Sequence, residues 1–199
     1  MFTTAVMNGL AQADHDLFDL HYGTIAENAS LPDAIHYISF TAEEDQLRKE
    51  IGMAMDQEIV SEGLDATRFN SLATNYFHTS PVPRNWYTGD IEDITSLCKR
   101  HEDRKSLLSA LGDILSECAR GNLVIIDSLS DLISTVDDEG MSWSDVSYLV
   151  KGLAKASHHW GGLILVHVNH ETLTGPQHGQ LIDACSGTLR FEWETGGST

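Results

Sequence analysis

Lysine is scarce in this chain. Five lysines and seven arginines face thirty acids in 199 residues, for a formal charge of −18. Binding nucleic acid through its phosphates needs a basic stripe, and none is present, so that function class is set aside. The acids are spread along the chain rather than gathered in one tail. That pattern fits a high-salt cytoplasm, where carboxylates keep a surface hydrated and salt screens their repulsion. Cysteine is also sparse. Cys98, Cys118 and Cys185 are odd in number and far apart. They form neither a disulfide framework nor a CxxC knuckle, and a reduced, cytoplasmic setting is expected. No apolar run approaches eighteen residues, so no transmembrane helix is expected. No basic segment with a long apolar region follows Met1, so no signal peptide is expected either. The length and the 41% hydrophobic content fit one domain, residues 1–199, with a core of ordinary size.

What the chain does have is the stretch NLVIIDSLSDL, residues 122–132. Four apolar residues, Leu123 to Ile126, stop at Asp127 and Ser128. A parallel strand buried on both faces reads as such an unbroken run, and the carboxyl ends of such strands are where open α/β sheets bind ligands. An acid at that tip suits the waters of a Mg²⁺ ion held by a nucleotide. The partner motif, G-x-x-x-x-G-K-[ST], does not occur in these 199 residues.

Periodicity orders the rest. Phe2, Val6 and Leu10 predict a helix over 2–11, and residues 12–34 read as a polar loop with a short ordered piece at 17–22. AIHYISF, 34–40, reads as a strand. A helix from Thr41 to about Ser61 carries Leu47, Ile51, Met55 and Ile59. ATNYFHT, 73–79, is expected to be a strand, and 80–90 a loop. Leu107, Leu108, Leu111, Ile114, Leu115 and Cys118 form the stripe of a helix over 103–119. A polar loop at 134–141 precedes a helix over 142–158. GLILVHV, 162–168, reads as a second buried strand. GPQHG, 175–179, reads as a loop, 181–184 as a short helix, and 188–194 as a strand. Strands alternating with helices predict an α/β fold with a mostly parallel sheet and helices on both faces.

Order and motifs together resemble the RecA superfamily of ATPases, in its KaiC-like archaeal branch. Helix 2–11 is similar to the helix after the P-loop lysine, ISFTAEED (38–45) to the strand followed by paired glutamates, and NLVIIDSLSDL to the Walker B strand. GLILVHVNHE (162–171) resembles the next strand with its polar sensor tip, and LIDACSGTLRFEWETGGST the end of the core. The resemblance implies a three-layer RecA-like domain of the P-loop NTPase type, truncated at both ends, with the first strand and the P-loop absent.

The resemblance also implies roles. Asp127 would hold Mg²⁺ through a water, with Ser128 adding a hydrogen bond to the bound ATP. Glu43 or Glu44 would polarise the attacking water, although Thr41-x-x-Glu44 is equally a capping box. Asn169 and His170 would sense the terminal phosphate. The implied function is a regulatory or signalling ATPase-type domain, an enzyme if a P-loop is supplied. Its expected partner is a second copy or a regulatory protein. The alternative is a non-catalytic interaction module, and behind it a recombinase-like protein. The loop 171–180 has no Lys or Arg and so offers no electrostatic track for DNA.

Overall fold

The computed structural model describes residues 32–54, 63–77, 107–136 and 141–191, with Ser80, Val82 and Trp86. The helix expected over 2–11 and the piece at 17–22 lie outside them. Four strands form one parallel sheet in the order β2-β1-β3-β4. They are β1 Ile35–Ser39, β2 Thr67–Ser71, β3 Leu123–Asp127 and β4 Leu163–Val166. Among the described residues the principal helices are α1 Glu44–Ala54, α2 Ala73–Tyr76, α3 Leu107–Cys118, α4 Leu129–Ser134, α5 Trp143–Trp160 and α6 Gly175–Ala184.

β1 and β3 are central and buried on both faces, which is why neither shows polar alternation. Ile38, Phe40, Val124 and Ile126 face the larger core, built by Leu111 and Leu115 of α3, Leu132 of α4, Val146 and Val150 of α5 and Leu181 of α6. Ile35, Tyr37, Leu123 and Ile125 face the other way, against Leu47 and Ile51 of α1. Helices therefore cover both faces, and the molecule is α/β with the layering of a three-layer fold. No helix among the described residues is long and apolar enough to cross a membrane.

α5 shows how local chemistry fixes an element. Ser142 and Asp145 close a capping box at its start. Gly161, at φ 65°, ends it in the left-handed conformation. His158 and His159 sit in the last turn, where the helix dipole favours positive charge.

Four expectations need correction. The second buried strand, expected over 162–168, is β4 at Leu163–Val166, with Leu163 exposed and the rest half-buried. The strand placed at 73–79 is instead β2 at Thr67–Ser71, and Ala73–Tyr76 is helical. TRFNS is an edge strand with a half-exposed, polar pattern, so its signal is weak. The loop at 175–179 is the first half of α6. Thr174 begins it with a capping box, and Pro176 falls in the first turn, where its missing N–H costs nothing. The strand at 188–194 does not form over its described part, 188–191. α4, not anticipated, starts from a Ser128–Asp131 capping box.

His36 gives a pH prediction. It lies on β1 beside Arg68, only 6% exposed, and its Nε2 finds no hydrogen-bond partner among the described residues. Burial first, and the Arg68 guanidinium second, hold its pKa below the ordinary 6.5. The unfolded chain then binds the proton more readily than the folded one. Stability from this group is complete above pH 6.5 and falls as the pH drops through the window just below it. His36→Leu is expected to flatten that loss. Urea midpoints at neutral and mildly acidic pH check it, and parallel slopes for the two proteins would refute it.

Candidate functional site

The direction of winding reverses between β1 and β3. α1 carries the chain from β1 to β2 over one face, and α5 carries it from β3 to β4 over the other. Beyond β1 and β3 the chain thus turns to opposite faces, the topology of the switch point at which open α/β sheets bind ligands. The register levels the strand ends there: Ser39 pairs with Asp127 on one side and with Ser71 on the other. Phe40 N donates to Asp127 O at 3.1 Å and Leu72 N to Ser39 O at 2.8 Å, so the rim is fixed by backbone bonds.

Asp127 stands at this rim with both carboxylate oxygens engaged. The Tyr37 phenol donates to Oδ2. His167 Nδ1 lies 2.8 Å from Oδ1. Tyr37 precedes Ser39 by two residues and so shares its face of the sheet. Burial, then the bond to Asp127 and its charge, push the phenol well above the ordinary tyrosine value, so it keeps its proton and remains a donor. β4 reaches the rim one residue beyond its regular pairing. His167 N donates to Ile126 O at 3.0 Å, and Leu129 N to His167 O at 2.9 Å. This pins the His167 backbone beside Asp127. Tyr37 and His167 were not among the expected site residues.

The other expected residues lie nearby with their own partners. The Ser128 hydroxyl donates to Asp131 Oδ2 at 2.8 Å and starts α4. The peptide between Asp127 and Ser128 is cis. Asn169 Oδ1 accepts from Glu171 N at 3.1 Å, capping a 3-10 turn at His170–Thr172. The His170 ring sits 6.4 Å from that of His178 on α6.

Glu43 and Glu44 belong to the β2 side of the rim. Glu43 Oε1 accepts from Ser71 Oγ at 2.9 Å. Glu44 pairs with Arg48 at 2.7 Å, one helical turn on. The proposed capping box at Thr41 does not form: Thr41 N turns back to Ser39 Oγ, at 3.4 Å, and the helix begins only at Glu44. A cleft of about 110 Å³ lies here, lined by Ser39, Glu43, Glu44, Phe69, Asn70 and Ser71. Ser71 is two strands from Asp127, roughly 10 Å at the usual spacing. The rim thus holds two groups of chemistry, one at Asp127 and one at Glu43.

A magnesium ion would find one carboxylate here and no protein cage, since no cluster of three His, Cys, Asp or Glu occurs among the described residues. That donor set fits Mg²⁺ held through water and completed by phosphates, its usual manner of binding. A carboxylate has about four lone-pair sites, and two at Asp127 are used. Comparison with family models, with curated proteins and with solved structures finds no match.

Proposed function

We propose that this chain is a regulatory ATPase-type domain of the RecA and KaiC kind, taking a Mg²⁺-bound nucleotide at the rim between β1 and β3. The observation that carries this reading is the position of Asp127, at the switch point and level with Ser39. Asp127 would hold a metal water, and the metal would screen phosphate charge. Asn169 and His170 would stand at the tip beyond β4. In this reading the domain works with a second copy or a regulatory protein, in a high-salt cytoplasm.

The phosphate cradle of such sites is made of backbone N–H groups and a lysine, and these 199 residues contain no such motif. Weak binding is therefore expected, with a Kd of about 1 mM. Calorimetric titration of Mg²⁺–ATP in molar KCl tests it. Binding that disappears with Asp127→Ala supports the reading, and no binding even at several-millimolar ATP overturns it. A non-catalytic interaction module is the second reading. It is favoured by β4, the edge of the sheet among the described residues, of sequence LILV with Leu163 55% exposed, where edges normally carry charge. Self-association without nucleotide binding selects it.

A further inference from the structure

The Asp127–His167 contact has the form of a catalytic base. A base is recognised by its hydrogen-bond reach to a reacting proton and by a third group that orients it. The buried Tyr37 phenol donates to Asp127 Oδ2. The remaining oxygen, Oδ1, lies 2.8 Å from His167 Nδ1. A carboxylate only accepts, so the nitrogen that faces it, Nδ1, is the one that donates. Nε2 is then the nitrogen on the side of the ring away from Asp127. The His167 side chain is 57% exposed and Asp127 31%, so the ring meets solvent at the rim rather than a core. Its backbone is fixed on both sides, to Ile126 and Leu129.

Neither glutamate matches this arrangement. Glu43 is engaged by Ser71 and Glu44 by Arg48, both on the far side of β1 from Asp127.

We propose that His167 is the general base of this rim, accepting through Nε2 the proton of a water that attacks the terminal phosphoryl group of a bound nucleotide, with Tyr37 as a positioning residue acting through Asp127. The inference rests on the nucleotide reading above. In the step, the water oxygen bonds to phosphorus and the water proton passes to Nε2. The bond to the leaving diphosphate oxygen breaks, and its electron pair leaves with that oxygen. Asp127 keeps the ring turned and stabilises the imidazolium that forms.

The test uses the 199-residue chain with Mg²⁺–ATP, following phosphate release and, separately, binding by calorimetry. His167→Ala is expected to lower kcat about 100-fold, the lower range for a lost base, with little change in Kd. Added imidazole should restore part of the rate, because a small base can enter the vacated space. A lesion that is only structural would not be rescued in this way. Tyr37→Phe should lower kcat about tenfold at unchanged KM, the loss expected of a loosened rather than a missing base. Ring ¹⁵N NMR of the wild-type protein, which needs no nucleotide, should show His167 protonated on Nδ1.

If His167→Ala binds nucleotide and hydrolyses it at the wild-type rate, or if Glu43→Gln alone abolishes hydrolysis, the base is misassigned while the nucleotide reading stands. An Nε2-protonated ring overturns the assignment as well. If the wild-type chain binds no nucleotide, both fall.

Discussion

Gly162→Ala is expected to destabilise the fold by at least about 3 kcal/mol, the upper range for forcing an extra carbon into a packed site. A Cβ on Gly162 would stand 2.3 Å from the carbonyl oxygen of Ala119 and 2.7 Å from that of Asn122. Both obstacles are backbone, so no rotamer relieves them. The crowding comes from the way β3 and β4 begin together. Leu163 N donates to Asn122 O at 3.0 Å, and Gly121 N to Trp160 O at 2.9 Å, so the end of α3 and the end of α5 are tied at one corner. Gly161, next to it, is a control of a different kind. Its φ is 65° and a Cβ there meets nothing within 4 Å. Gly161→Ala therefore carries only the left-handed penalty, about 1–2 kcal/mol. For a domain of this size 1 kcal/mol shifts Tm by roughly 2–4 °C. Gly162→Ala should melt about 10 °C below wild type and well below Gly161→Ala. Thermal unfolding followed by circular dichroism measures this, and equal losses for the two variants would contradict the backbone clash. Because β4 carries His167 to the rim, the same variant should also loosen the contact at Asp127.

The parts of the fold that were legible in the sequence are those whose environment writes an unambiguous pattern. Leu123 to Ile126 is an unbroken apolar run because β3 is buried on both faces, and Asp127 marks where burial ends. Leu107, Leu111, Leu115 and Cys118 recur at helical spacing because α3 turns one stripe to the core. β2 leaves little trace in the sequence because a strand at the edge of the described sheet has little to bury. Its Arg68 is exposed and its Asn70 half-buried, whereas the buried Leu72 and Ala73 just beyond it resemble the start of a strand. The first half of α6 has the sequence of a loop because glycine and proline usually punctuate the chain, yet both fit a first helical turn. Asp127 itself was legible, but its partners were not. Tyr37 is 90 residues away and His167 is 40. A one-residue slip in the pairing of β1 or β4 would turn either to the opposite face. Register is a property of the assembled sheet, so the site's most specific feature appears only in the structure.

Asp127→Ala and Asp127→Asn are expected to injure the protein in different ways. Alanine removes the acceptor of the Tyr37 phenol, whose residue is 7% exposed. A buried hydroxyl left without a partner costs about 1–3 kcal/mol, and a loss near 2 is expected. Adding Tyr37→Phe should then recover much of that loss, because the orphaned group goes with it. The double-mutant cycle isolates the pair, and simple additivity of the two substitutions would deny that the phenol and the carboxylate interact. Asparagine keeps one acceptor and can still serve Tyr37, so it should fold within about 1 kcal/mol of wild type, the scale of a single net hydrogen bond. Its amide then presents N–H groups to His167. The imidazole must answer with an acceptor at Nδ1, which moves its proton to Nε2 and leaves no lone pair facing the rim. Asp127→Asn is therefore expected to lose at least ~100-fold in hydrolysis, the size of a missing general base, at nearly unchanged stability, whereas Asp127→Ala loses both. Phosphate release, urea denaturation and ring ¹⁵N NMR on the two variants separate the cases. If asparagine hydrolyses as the wild type does, Asp127 serves the fold through Tyr37 and has no hold on the chemistry of His167.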